Sequence, residues 1–408
     1  VKKWIEHIFL LIIITLIFTG CSKKTEKKPN VEFEEKDIEK EEVDPIVEKL
    51  DKMTIDEKIG QLVFVGLDGV ELDENTIELI ENYYVGGLIL FKKNINSVSQ
   101  LVGLTNSLKS TNSKNTIPMF IGVDEEGGRV SRLPKEIIKT PKAKDMGLVD
   151  NEYFSYEIGK ILGNNLSLLG INMDFAPVLD IYSNPKNTVI GDRAFGSTSE
   201  IVSKHGLLVM RGIMDSHVIP VIKHFPGHGD TYTDSHVDLP VVNKAKEELE
   251  ELELIPFKEA INRGADFVMI GHILLPNIDD EYPATLSKNV INNMLREELN
   301  FDGVVVTDDM TMGAITRNLD IGKAAVRSLK AGSDIVLVCF EYENQLKVLN
   351  DIREAVNNNE ISKDEIDEKV YRIIKLKEKY KLEDNEIEIP NPRDLNHRTK
   401  ELFEKYRK

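Results

Sequence analysis

Apolar residues along this chain gather in short, dense runs at residues 62–66, 87–91, 119–123, 171–175, 218–222, 267–270, 303–306 and 335–338. The runs lack polar alternation, which is the pattern of strands covered on both faces. Between most of them the apolar positions take helical spacing. Ile158, Ile161, Leu162, Leu166 and Leu169 trace one stripe along a helix, and Ile366, Val370, Ile373 and Ile374 trace another. The second stripe follows a capping-box signature, Ser362 to Glu365, and a similar one, Thr54 to Glu57, opens a helix at the domain's edge. Eight buried strands alternating with helices predict a single (β/α)8 TIM-type barrel over residues 44–382. An open doubly wound sheet is the alternative that the same alternation allows.

The two ends of the chain are different in kind. Lys2 and Lys3 precede an apolar run at residues 8–18, which ends in Thr19, Gly20 and Cys21. A basic start, an apolar centre and small residues make an export signal over residues 1–20; an uncleaved membrane anchor is the alternative. The Thr-Gly-Cys ending resembles the lipobox of bacterial lipoproteins, with Phe18 a less usual first residue. That resemblance implies cleavage before Cys21, a lipid on its sulfur, and a protein held outside the cytoplasm on the membrane's outer face. Residues 21–43 are dominated by Lys, Glu, Asp and Pro and are expected to form a solvated tether. Past Leu382 the chain is polar and broken by proline, so residues 383–408 are expected to be a linker-like tail.

A net charge of -18 argues against nucleic acid as a partner, since no basic surface is available to displace counterions from phosphate. The apolar share of 41% is ample for a sizeable core. Cys339, in the stretch 334–340 around the last apolar run, is expected to be a small buried residue without a disulfide partner once Cys21 carries lipid. No glycine pattern for a nucleotide is present, and no cofactor is expected.

Chemistry gathers at the ends of the runs. Asp124, Asp180, Lys223 with His224, His272 and Asp308 each follow one. In a barrel those C-terminal strand ends converge on one face, which carries the site. The densest stretch is KHFPGHGDTYTDSHVDLP, residues 223–240, with three histidines and three aspartates in a loop that glycine and proline keep from being helical. His224 and His228 are four apart, but Pro226, Gly227 and Gly229 forbid the helix that would bring them onto one face, so no metal site is assigned.

Four motifs in order, GVDEEGGRVSRL (residues 122–133), GDRAFG (191–196), KHFPGHGDTYTDSH (223–236) and VVTDDMTMGAI (305–315), resemble glycoside hydrolase family 3, and within it the bacterial β-N-acetylglucosaminidases. MTIDEKIGQL (53–62) and GGLILFKKNI (86–95) agree with them. The resemblance implies a retaining enzyme that removes terminal β-linked N-acetylglucosamine, with cell-wall glycan fragments as substrates given the outward-facing anchor. It implies Asp308 as nucleophile, with His236 as acid/base and Asp234 orienting it. Histidine suits that role, because its ordinary pKa near 6.5 lets it give and take a proton around neutrality. Asp309 competes for the nucleophile's place, but successive residues of an extended segment face opposite ways, and Asp309 is expected to bond nearby backbone. The resemblance further implies that Asp124, Arg193, Lys223 and His224 bind sugar hydroxyls. Arg129 either joins them or pairs with a nearby acid. His228 is expected to brace the loop, and His272 to do either. The chain ends before the second α/β sandwich domain of the family's β-glucosidases could fit, so none is expected. Two alternatives stay open: another sugar on the same machinery, as in a β-glucosidase or β-xylosidase, and a lipoprotein that binds sugar without cleaving it. A phosphate-dependent reaction is a variant of the first reading.

Overall fold

A computed structural model describes residues 44–232 and 239–406. Cys21, with the signal and the tether, lies outside the described residues, as do Asp234 and His236.

All eight apolar runs form strands: β1 (Val63–Gly66), β2 (Gly87–Leu90), β3 (Phe120–Val123), β4 (Met173–Asp174), β5 (Ile219–Pro220), β6 (Ile222–Phe225), β7 (Phe267–Ile270), β8 (Val304–Asp309) and β9 (Ile335–Val338). Every ladder is parallel, and the order runs β5-β4-β3-β2-β1-β9-β8-β7-β6. The first and last members of that order are consecutive pieces of one stretch, parted at Val221, whose amide donates to Asp174 O at 2.8 Å. The sheet therefore returns on itself with eight strand positions, as a nearly closed (β/α)8-type barrel.

The rings of Phe64, Phe120 and Phe267 meet across the barrel interior, 5.5 and 6.2 Å between centroids, near the N-terminal ends of β1, β3 and β7. They plug that end. At the other end one residue breaks the pattern: in all nine segments every residue is buried except Asp308.

Both capping boxes form, at Thr54 with Glu57 and at Ser362 with Glu365. The predicted helical stripes are buried in the helices Glu152–Leu168 and Lys363–Lys379. The expectation of a linker-like tail is corrected. Ile387 and Asn106 exchange hydrogen bonds, and the helix Pro392–Tyr406 buries Leu395 and Leu402. Asn396 accepts from the Ile138 amide and donates to Glu136 O, and Arg398 pairs with Glu157. Burying the two leucines contributes roughly 1.5–3 kcal/mol each. Polar composition concealed this because a docked amphipathic helix needs only one apolar edge.

Candidate active site

The C-terminal ends of the strands open into a cavity of about 650 Å3. Asp124 follows β3, Lys223 and His224 belong to β6, and Asp308 belongs to β8, so the barrel itself converges these side chains. Arg193 enters from the loop beyond β4.

Lys223, 2% exposed, stands between two acids, with Nζ 2.7 Å from Asp124 Oδ1 and 2.8 Å from Glu126 Oε1. Burial alone would depress its pKa, but Asp124 and Glu126 raise it, so it is a fixed cation. Glu126 receives Arg193 Nε and Nη2 on its two oxygens, both at 2.8 Å. Burial opposes its ionised form, yet Arg193 and Lys223 hold its carboxyl far below the usual range. Two cations and two carboxylates thus form a wall of donors and acceptors such as vicinal hydroxyls require.

His224 is oriented from behind. Its Nδ1 lies 2.7 Å from Asp180 Oδ2, and Asp180 Oδ1 accepts the amides of His224 and His228 at 3.2 and 2.7 Å. Asp180 is fully buried, which would raise its pKa, but His224 beside it brings it below the ordinary value. The bond at Nδ1 leaves Nε2 of His224 toward Arg193 Nη2, 3.5 Å away. His228 is braced through Nδ1 by Thr231 Oγ1 at 2.7 Å. Burial, with His224 adding to it, pushes its pKa down to about 4.

The two aspartates of β8 divide as their alternation predicts. Asp309 accepts from Thr311 N, Thr311 Oγ1 and Cys339 N at 3.0, 2.6 and 3.0 Å. Asp308 Oδ1 accepts the Asp309 amide at 2.8 Å, and its side chain lines the cavity as the partly exposed residue of the strand. His272, fully buried, bonds Thr285 Oγ1 and the Asp309 carbonyl, both at 2.9 Å, and so holds the main chain beside the pair. Cys339 is buried and free.

Arg129 pairs with Asp192 at 2.8 Å and donates to the carbonyls of Thr188, Val189 and Ile190, shaping the loop that presents Arg193. That is the pairing alternative for Arg129. Arg132 was not singled out in the sequence, yet it lines the cavity with Nη2 3.7 Å from Asp124 Oδ2. Its Nε is buried and unpaired among the described residues. Glu126 likewise carries no signal of its own in the sequence, and Asp180 stands out there only by following an apolar run. Glu126 and Arg132 lie in the same motif as Asp124, and the turn at Gly127 (φ 84°) and Gly128 (φ 55°) folds that motif back so that the Glu126 amide meets Val130 O at 3.0 Å. Among the described residues no group of three or more His, Cys, Asp or Glu is arranged to hold a metal ion.

A parallel barrel that gathers a partly exposed carboxylate and a wall of paired cations and acids at its C-terminal strand ends has its polar site where barrel enzymes carry theirs. Residues 54–376 match the glycosyl hydrolase family 3 N terminal domain, and the chain belongs to that family of glycoside hydrolases. It is 33% identical over 339 residues to the beta-hexosaminidase A of Pseudoalteromonas piscicida, covering 77% of this chain and 56% of that longer protein. It is 33% identical over 330 residues to the beta-hexosaminidase LpqI of Mycobacterium tuberculosis, covering 79% of this chain and 82% of the relative. The structure of a family 3 beta-N-acetylglucosaminidase from a Paenibacillus species superimposes with a TM-score of 0.81 at 40% identity, over 86% of this chain and 69% of that one.

Proposed function

We propose that the chain is a retaining exo-β-N-acetylglucosaminidase that removes N-acetylglucosamine from the non-reducing ends of cell-wall glycan fragments. The observation that carries this reading is the position of Asp308, the one residue of the nine strand segments that is not buried, in a cavity that Asp124, Glu126, Lys223 and Arg193 also line. In the first step an Asp308 oxygen attacks the anomeric carbon while His236, oriented by Asp234, protonates the departing oxygen. In the second, His236 takes a proton from water, which attacks the same carbon and frees Asp308. Two inversions keep the configuration. Asp124, Lys223, Arg193 and His224 hold the sugar hydroxyls, with Arg132 added to that set by its place beside Asp124. The relatives' printed names support the choice of sugar. The basic and apolar N-terminal run ending at Cys21 supports a lipid-anchored, extracytoplasmic protein.

A panel of aryl β-glycosides that differ only in the sugar tests the reading. Turnover of the N-acetylglucosaminide far above the glucoside and xyloside is the expected result. Preference for either of those would replace the specificity, and stoichiometric binding without turnover would replace catalysis by capture.

A further inference from the structure

Among the described residues, the Arg132 guanidinium lines the cavity without a hydrogen bond. Its Nη2 lies 3.7 Å from Asp124 Oδ2, beyond hydrogen-bond distance, and its Nε is buried and unpaired. A long side chain so loosely tied is placed with precision only if its main chain is fixed. Here the main chain is fixed on both edges. Glu125 Oε2 accepts the amides of Arg132 and Leu133 at 2.7 and 3.2 Å. Lys92 Nζ donates to the carbonyls of the same two residues at 3.1 and 2.7 Å. An anion on the amides and a cation on the carbonyls grip the chain through charge-assisted hydrogen bonds, which are the strong ones.

Both grips are anchored to the barrel. Lys92 opens the short turn Lys92–Asn94, just past β2. Asn94, fully buried, fixes that turn: it accepts the Phe91 amide at 2.8 Å and donates to Leu67 O and Gly69 O at 3.0 and 2.6 Å. Glu125 lies two residues past β3 and is 1% exposed. Its amide donates to Oδ1 of Asp174, the last residue of β4, at 3.0 Å.

Neither Lys92 nor Glu125 lines the cavity, so a sugar bound there touches neither. Both act on backbone atoms of Arg132, which leaves the donors of its guanidinium for a ligand. Lys92 has no carboxylate within ion-pair distance among the described residues, and burial beside Lys139 lowers its pKa. Turning outward into water would relieve both; the two carbonyls hold it in place instead.

We propose that Lys92 and Glu125 are positioning residues that set Arg132 against the sugar beside Asp124. Each fixes the Arg132 main chain, so the guanidinium meets the substrate already ordered. This rests on the glycosidase reading above and deepens it by naming what holds one of its sugar contacts.

A double-mutant cycle separates positioning from a general effect on the fold. kcat/KM is measured on the aryl β-glycoside that the parent turns over fastest, for K92M, E125Q and R132A and for each of the first two combined with R132A. K92M should lower it about 5- to 20-fold in the parent, mostly through KM, and less than about 2-fold in R132A, where no guanidinium is left to position. K92R, which keeps a donating cation, should recover most of the parent value. E125Q should show the same dependence on background. Parent-level kcat/KM in K92M, or an equal loss with and without Arg132, overturns the role of Lys92, whatever the variant's stability. The same results in E125Q overturn the role of Glu125. Parent-level activity in R132A removes Arg132 from the sugar site, and the positioning role with it. A parent that turns over no aryl glycoside overturns the glycosidase reading itself, and this proposal falls with that reading.

Discussion

Arg193 and Glu126, 67 residues apart in the chain, meet through two parallel hydrogen bonds of 2.8 Å inside the barrel mouth. Lys223 adds a third donor to the same carboxylate at 2.8 Å. The wall is therefore one unit: removing its central acid leaves Arg193 without its carboxylate partner and Lys223 with Asp124 alone.

Glu126→Gln should accordingly damage both stability and binding. Breaking a buried pair by neutralising one partner costs about 3–5 kcal/mol, and Arg193 would no longer be held in place, while Lys223 would keep only Asp124. Denaturant melts should show the stability loss, and KM for an aryl β-N-acetylglucosaminide should rise more than kcat falls. Normal stability with normal KM would show that the wall is dispensable.

Asp308→Asn keeps the shape of the side chain and removes its nucleophilicity. We expect kcat to drop by at least about 10³-fold, the scale on which loss of a nucleophile is felt, with product affinity little changed. Rapid-quench kinetics together with calorimetric titration of N-acetylglucosamine separate the two. Parent-level turnover would move the nucleophile elsewhere.

His228 makes the fold acid-sensitive. Its folded pKa of about 4 lies below the ordinary 6.5 because burial disfavours the charged imidazole. As pH falls below about 6.5 the unfolded chain binds the proton first, so stability is present in full above that pH and declines toward pH 4. The loss from this residue is about 3 kcal/mol. His228→Asn should flatten the pH dependence of the denaturant midpoint between pH 6.5 and 4, and an unaltered slope would refute the assignment.

Lys377 acts in a different window. Its ammonium is buried at the closed end of the barrel, where Gln61 Oε1 and Gly86 O accept its protons at 2.7 and 3.1 Å, and burial pushes its pKa down to about 7. Between pH 7 and the unfolded value near 10.4 the unfolded chain holds the extra proton, so stability should climb with pH, by up to about 1.4 kcal/mol per unit. Lys377→Met should abolish that climb between pH 7 and 9. A parallel rise in parent and variant would place its origin in other groups.

The barrel was legible because strands covered on both faces leave an apolar signature that solvent-exposed strands do not. Asp309 was separable from Asp308 for an equally local reason, the two-residue alternation of an extended chain. Arg129 and Arg132 show the limit. They are three residues apart in one motif, and nothing local says which turns to the Thr188–Ile190 carbonyls and which turns to Asp124. The docking of the tail is hidden in the sequence for a related reason. Leu395 and Leu402 are buried only because the helix that carries them docks, with Asn396 and Arg398 bonding Ile138 and Glu157, which are distant in sequence.

The order of residues by itself determined the eight strands, the helices between them and the strand-end placement of Asp124, Lys223, His224 and Asp308, because each follows from periodicities within a few residues. Only the tertiary structure decided that Glu126 would join Lys223 to Arg193, that Asp180 would orient His224, and that Lys92 and Glu125 would grip the main chain at Arg132. Those choices depend on which distant side chains share a buried space, where a charge keeps its proton state and its place only by finding a partner.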